Sequence, residues 1–286
     1  MIYSLRMSFV IVLMAGLLAG NVPPPPTVIA QAQAPITVEA GDYILVGLSP
    51  ILAPGEYIGQ HSHRGPDLVI VFEGEVIEQE PGGDRTVKSS ESWINQAGEM
   101  HAVTNGGATK ARLWASLLLP KGDTSLSPSA QLPLNVNTGE YNLVGRVLDF
   151  APGSGLQEQY HGGDALFYVM DGEITLLENG NTKQVKSFKS WTEVVGAVYS
   201  VTNASAKNAR VAMSMLLPKG AEETTFVNTP TPTATLEVTN SKVSSPTLPV
   251  TQNVPNSNSP VLPVLIVIGL LLIVLAAGFY LRRRSR

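Results

Sequence analysis

The sequence predicts an all-β protein: two tandem antiparallel β-barrels or jelly rolls, followed by a C-terminal transmembrane helix. The first observation behind this is an ungapped internal repeat. Tyr43, Leu45, Val46 and Gly47 recur as Tyr141, Leu143, Val144 and Gly145; Ala53-Pro54-Gly55 recurs as Ala151-Pro152-Gly153, and Val103-Thr104-Asn105 as Val201-Thr202-Asn203, always 98 residues later. The second is the spacing of short runs rich in Val, Ile, Leu and Phe. Leu68 to Phe72 and Ala165 to Met170 are each closed by an acidic residue and a glycine, Glu73-Gly74 and Asp171-Gly172, which suit tight hairpins. Pro81-Gly82-Gly83-Asp84 and Asn179-Gly180-Asn181 mark the next turns at matching places. The third is that no amphipathic helical period of any length is present.

In chain order, residues 1–34 read as a signal peptide. Arg6 precedes an apolar run from Met7 to Leu18, and Met7 to Gly20 is 14 residues, short of the roughly 20 that a spanning helix needs. Cleavage is expected after Ala30 or after Ala32-Gln33-Ala34, with an uncleaved anchor as the alternative. The barrels are expected over 36–127 and 136–220. Residues 221–260, rich in Thr, Pro, Ser and Asn, read as a disordered stalk that buries too little apolar surface to offset its ordering entropy. Residues 261–281 carry no charge and are long enough to cross a bilayer. Arg282-Arg283-Arg284-Ser285-Arg286 after them is a basic tail of the kind retained in the cytoplasm, so the barrels are expected outside it, on a cell membrane crossed once. Leu248 to Gln252 also resembles a sortase wall-anchoring signal, with Gln252 in place of Gly.

Composition excludes several classes. The 286 residues include no cysteine, which rules out disulfides, thiolate metal sites and cysteine nucleophiles. Between Pro35 and Gly220 there are 13 Lys and Arg against 20 Asp and Glu, a net of −7 with no basic run, so no nucleic-acid partner is expected. No Gly-x-Ser-x-Gly elbow or phosphate-cradling glycine loop is present. Asn203-Ala204-Ser205 is a glycosylation sequon.

The candidate chemistry lies between Gly55 and Asn105. All four histidines of the chain fall at motif positions, three of them in the first repeat: His61, His63 and His101. In a strand, residues i and i+2 share a face, so His61 and His63 present two imidazoles together, and Asp67 keeps that parity. With His101 on a neighbouring strand, three imidazoles and a carboxylate converge, a set suited to one divalent transition metal: Mn, Fe, Ni, Cu or Zn. Asp67, which follows Pro66, reads either as a ligand or as a residue that only starts its strand. Asn105 reads as a turn residue, and Trp93 and Trp191 as core.

These residues resemble the cupins. That family's first motif runs Gly, five residues, His-x-His, three or four residues, Glu, six residues, Gly; here it is Gly55, His61-Ser62-His63, Asp67 and Gly74 at the same spacing. The second runs Gly, five residues, Pro-x-Gly, two residues, His, three residues, Asn; here it is Ser90, Gln96-Ala97-Gly98, His101 and Asn105. Asp67 for Glu, Ser90 for Gly and Gln96 for Pro depart from the pattern, and the shorter Asp67 carboxylate reaches a metal directly or only through water. The resemblance implies a bicupin, two double-stranded β-helix barrels, with dioxygenase, decarboxylase or isomerase chemistry among the family's activities. A non-catalytic small-ligand-binding module and a structural surface module are the alternatives.

In the second repeat the four positions become Gln159, His161, Ala165 and Tyr199, so one histidine of three remains. Unless Asp164 swings in, no four-ligand site forms there. Gln159, His161 and Tyr199 are expected either to line a second pocket that binds an organic ligand by hydrogen bonds or to belong to a plain packed barrel.

Overall fold

The structure, a computed structural model, describes residues 22–227. The apolar run from Met7 to Leu18, residues 228–260 of the expected stalk, the expected span at 261–281 and the basic tail lie outside the described residues, within which no helix is long and apolar enough to cross a membrane.

Every regular element among the described residues is a strand. The first repeat gives β1 (Thr27–Val38), β2 (Gly41–Leu48), β3 (Ile51–Leu52), β4 (Tyr57–His61), β5 (Asp67–Glu73), β6 (Glu75–Gln79), β7 (Arg85–Lys88), β8 (Ser92–Asn95), β9 (His101–Thr104) and β10 (Ala111–Pro120). The second gives β11 (Ala130–Val136), β12 (Gly139–Phe150), β13 (Gly155–His161), β14 (Asp164–Asp171), β15 (Glu173–Glu178), β16 (Asn181–Lys186), β17 (Ser190–Glu193), β18 (Tyr199–Thr202), β19 (Ala209–Pro218) and β20 (Thr224–Phe226). Gly74 and Gly172 turn at φ 78° and 79°, but not as the expected hairpins: β5 pairs with β10 and β8 while β6 pairs with β7 and β9, and β14 and β15 likewise lie in different sheets, so both glycines form corners that pass the chain from one sheet to the other. A Cβ on either would lie within 2.6 Å of the carbonyl oxygen of Lys110 or Asn208, just before β10 or β19. The turns at 81–84 and 179–181 do join paired strands, β6 with β7 and β15 with β16. Asn179 and Gly180 both have positive φ, as a two-residue type I′ turn requires.

Each barrel closes two antiparallel sheets on each other. The first combines β11-β2-β10-β5-β8 with β4-β9-β6-β7; the second combines β1-β12-β19-β14-β17 with β16-β15-β18-β13-β20. The opening strands are exchanged. β1 pairs with β12 of the second barrel, and β11 with β2 of the first, in equivalent registers: Val38 opposite Gly139, Val136 opposite Gly41. The barrels are thus fused through a shared core, to which β5 contributes Leu68, Ile70 and Phe72 and β14 contributes Leu166, Tyr168 and Met170. Trp114 Nε1 donates across it to the Met213 carbonyl and to Ser214 Oγ, both at 3.1 Å. β5 is buried on both faces, so its alternation sends Leu68, Ile70 and Phe72 to the shared core, and Asp67, Val69 and Val71 into the first barrel.

β1 begins at Thr27, with Ala30 and Ala34 buried, so the expected cleavage positions at Ala30 and Ala32-Gln33-Ala34 fall within a strand paired with β12. Residues 221–227, expected to open a disordered stalk, instead contain β20, which pairs with β13 at Gln159–Phe226, Tyr160–Thr225 and His161–Thr224. The backbone ladder supplies the ordering that this polar, threonine-rich stretch cannot obtain from apolar burial.

Ser90, where the family motif has glycine, has φ 74°, and its repeat mate Phe188 has φ 65°. Both occupy a left-handed backbone position that favours glycine or asparagine. Phe188 is 73% exposed, so its ring contributes little packing. Phe188→Asn is expected to stabilise the protein by about 1 kcal/mol, read as a rise of a few degrees in thermal midpoint by circular dichroism; a lowered midpoint would show that the ring is needed where it stands.

Candidate metal centre

β4 delivers His61 at its last residue and β9 delivers His101 at its first, and the two face each other in register, with a shift between Ile58 and His61 that turns His61 inward. His63 lies beyond the end of β4, in the loop to β5, so strand parity does not place it as the sequence suggested. Backbone contacts do. Gly98 N donates to the His63 carbonyl at 2.8 Å, and Gly65 presses this loop onto β10 so closely that a Cβ there would lie 1.8 Å from the Leu118 carbonyl oxygen.

The three imidazoles converge. Their ring centroids are 4.9 Å (His61–His63), 4.2 Å (His61–His101) and 5.4 Å (His63–His101) apart, and one ring nitrogen from each lies within 4.8 Å of the others. His61 Nδ1 donates to the Gly59 carbonyl at 2.7 Å, and His101 Nδ1 faces the Glu99 carbonyl at 3.3 Å. Because a carbonyl only accepts, the proton sits on Nδ1, and Nε2 of both rings keeps a free lone pair.

Asp67 Oδ2 is 3.6 Å from His63 Nε2 and 3.8 Å from His101 Nε2. The residue is 2% exposed, and its Oδ1 has no hydrogen-bond partner. Burial pushes the Asp67 carboxyl up to about 7, against the opposing pull of Asn95. Burial, with the neighbouring imidazoles, lowers His63 to about 4, and burial also lowers His101. Burial thus disfavours charge on both sides of these contacts: it lowers His63 and His101 and raises Asp67, so the metal-free contacts are not strong ion pairs. Three imidazole nitrogens within 4.8 Å of one another, beside a buried, unpartnered carboxyl oxygen, fit a cation.

Behind Asp67 runs a polar chain that sequence reasoning missed. Asn95, opposite Asp67 on β8, has its two amide atoms each 3.0 Å from Glu78 Oε1 and Trp93 Nε1; because the carboxylate only accepts and the indole only donates, the amide nitrogen is assigned toward Glu78 and the amide oxygen toward Trp93. Glu78 is fully buried and bound by Arg85 Nε at 2.5 Å. The available signal was alternation: Val76 and Glu78 are the inward positions of β6, and in the second repeat Glu78 corresponds to Leu176. Tyr57, Arg64 and Glu99, near the histidines in sequence, do not line the cavity above them.

That cavity, about 370 Å³, is lined by His61, His63, Asp67 and His101 together with largely apolar walls. The repeat fills the equivalent space. Val69 becomes Phe167, which stacks on Trp191 at 4.5 Å, Ala115 becomes Met213, and His101 becomes Tyr199. The structure brings Gln159, His161 and Tyr199 together, all buried, in a closed chain: Gln159 Nε2 donates to Tyr199 Oη (2.9 Å), Tyr199 Oη to His161 Nε2 (2.5 Å) and His161 Nδ1 to the Glu223 carbonyl (2.9 Å). The one lone pair His161 could offer a metal is taken. Asp164 is held elsewhere, accepting from Val195 N at 2.9 Å. Glu193, the counterpart of Asn95, has neither carboxyl oxygen hydrogen-bonded, and burial pushes it up to about 7.

Two motif residues prove structural. Asn105 is fully buried, its amide donating to the carbonyls of Leu52 and Thr109, both at 2.8 Å; Asn203 makes the same pair to Phe150 and Lys207. The sequon amide is thus consumed inside the fold. Gln96 N donates to Glu99 Oε2, a bond that the family's proline could not make.

No curated protein matches the sequence. Among solved structures the chain is similar to AerE from Microcystis aeruginosa (11% identity, 68% of this chain and 99% of that one, TM-score 0.46) and to the Lactobacillus farciminis oxalate decarboxylase–formate complex (11% identity, 73% and 90%, TM-score 0.49). It is also similar to procruciferin, an 11S globulin from Brassica napus (9% identity, 71% and 86%, TM-score 0.46). Residues 146–216 match the family model described as Cupin domain. That stretch lies within the second repeat and runs from β12 to β19.

Proposed function

We propose that the first barrel binds one divalent transition metal ion, Mn, Fe, Ni, Cu or Zn, through His61, His63 and His101 with Asp67 beside them, and acts on a small organic molecule in the cavity above. The observation that carries this is the convergence of three imidazole nitrogens within 4.8 Å at the base of a cavity of about 370 Å³. A bound divalent ion supplies Lewis acidity and open coordination positions for ligand oxygens. His61 and His101 hold their tautomers through Nδ1, Asp67 offsets cationic charge, and the apolar walls exclude water. The uncharged segment 261–281 and the arginines after it support a membrane anchor with the barrels outside the cytoplasm. A second reading, a binding module without catalysis, is favoured by one feature: apart from Asp67 and the histidines, the cavity lining holds no residue able to act as general acid or base near neutral pH.

Metal analysis of the full-length chain tests the assignment. One equivalent per chain is expected, and the closed hydrogen-bond chain around His161 predicts no second. Two equivalents, one of them surviving His61→Ala with His101→Ala, would move a site into the second barrel.

A further inference from the structure

Beyond its four candidate ligands, the first cavity is walled by Ile58, Val69, Val103, Leu113, Ala115 and Leu126, and among the described residues no lysine, arginine or glutamate lines it. Its repeat mate shows what a charged rim looks like in this fold. There Arg146 and Glu223 form an ion pair at 2.7 Å, and the corresponding residues of the first barrel are Leu48, which lines the cavity, and Ser125. Arg64 and Asp123, whose charges act on each other, both lie outside the lining. A ligand carboxylate pointing away from the metal would therefore face aliphatic side chains with no cation to pair it, at a desolvation cost that nothing in the wall offsets. The polar groups left are serines, and Ser129 Oγ already accepts from Ser49 N at 3.2 Å. The volume, about 370 Å³, lies within the range of sites for organic ligands with a substantial body.

We infer that this cavity takes a ligand with a single oxygen-chelating head and an apolar, uncharged body, and that it rejects dicarboxylates. This rests on the three histidines holding a metal. The head reaches toward Nε2 of His61 and His101, and the body lies against Val69, Leu113 and Ala115, at two of which the second barrel substitutes larger side chains that close the space: Phe167 for Val69 and Met213 for Ala115.

The full-length chain loaded with one equivalent of Zn²⁺ is titrated calorimetrically with benzohydroxamate, acetohydroxamate and oxalate, and metal retention is measured on the same samples. All three offer two oxygens to the ion; only the first adds an aromatic body, and only the last is a dianion. Benzohydroxamate is expected to bind at least about 10-fold tighter than acetohydroxamate, from the added apolar burial, and oxalate more weakly than both. Val69→Phe with Ala115→Met is expected to keep Zn²⁺ and erase the aromatic preference, while Leu48→Arg raises oxalate affinity. Oxalate binding as tightly as benzohydroxamate, or a phenyl group that adds nothing, overturns the inference while the metal reading stands. Failure to retain Zn²⁺ defeats the metal reading and the inference with it.

Discussion

His101→Ala is expected to lower the affinity of the full-length chain for a divalent transition metal by more than the roughly 10- to 100-fold that loss of an outer-shell partner costs. His101 opens β9 directly opposite His61, and its ring lies 4.2 Å from that ring, centroid to centroid. Removing it leaves two imidazoles and a carboxyl, too few donors to close a structural-type site without water. The repeat contains the natural version of this change, since Tyr199 occupies the His101 position and its hydroxyl caps His161 instead of leaving a ring nitrogen free. His101→Tyr is therefore expected to lose metal as thoroughly as His101→Ala, with less disturbance to packing. Competition against a chromophoric chelator reads both, and far-UV circular dichroism checks the fold. Undiminished affinity in either variant would place the metal elsewhere.

Much of this architecture was legible because the repeat is ungapped: a constant offset of 98 fixes which strands correspond, and glycines mark where the chain turns, although at Gly74 and Gly172 the turn leads into the other sheet and not into a hairpin. What alternation cannot say is which barrel a strand joins. Ala30, Ala34, Ile36 and Val38 read as one buried face, yet nothing local in Thr27–Val38 indicates that its partner is β12, more than a hundred residues away. β20 was missed for the opposite reason, since Thr224 and Thr225 carry no apolar pattern and the strand is held by its backbone pairing to β13. At the site, residue types and spacing anticipated which side chains would meet, although His63 arrives by a loop and not by strand parity. The Asn95–Glu78–Arg85 chain stayed hidden because a charged residue in a short strand reads as solvent-facing until the neighbouring inward position, Val76, is recognised.

Asp67→Asn is expected to have opposite effects on the metal-free and metal-bound protein. In the folded apo state burial holds the Asp67 carboxyl near 7, against 3.8 in the unfolded chain. The folded state thus binds the extra proton between those values, and stability attributable to this group falls as pH rises from about 4 through 7. Above 7 the full cost of a buried, unpaired carboxylate applies, on the order of 4 kcal/mol. His63 works in the other direction: with its folded value lowered from 6.5 to about 4, the unfolded state binds more protons in that interval and stability rises with pH across it. In the wild-type apo protein the two slopes largely cancel between about pH 4 and 6.5. Asp67→Asn removes one of them. The variant is expected to be more stable than wild type at pH 8 by up to a few kcal/mol, to converge with it near pH 4, and to show the histidine slope undisguised. Its metal affinity should fall, because the amide keeps the shape of the side chain but not the charge that offsets the cation, and a bound ion should no longer stabilise it as much as wild type above pH 7. Denaturant unfolding of both proteins at pH 4, 6 and 8, with and without Zn²⁺, separates these effects. An apo stability difference that does not change with pH would show that the Asp67 carboxyl is not held protonated. Equal stabilisation of both proteins by Zn²⁺ would leave His61, His63 and His101 as the whole ligand set, with Asp67 only the first residue of β5.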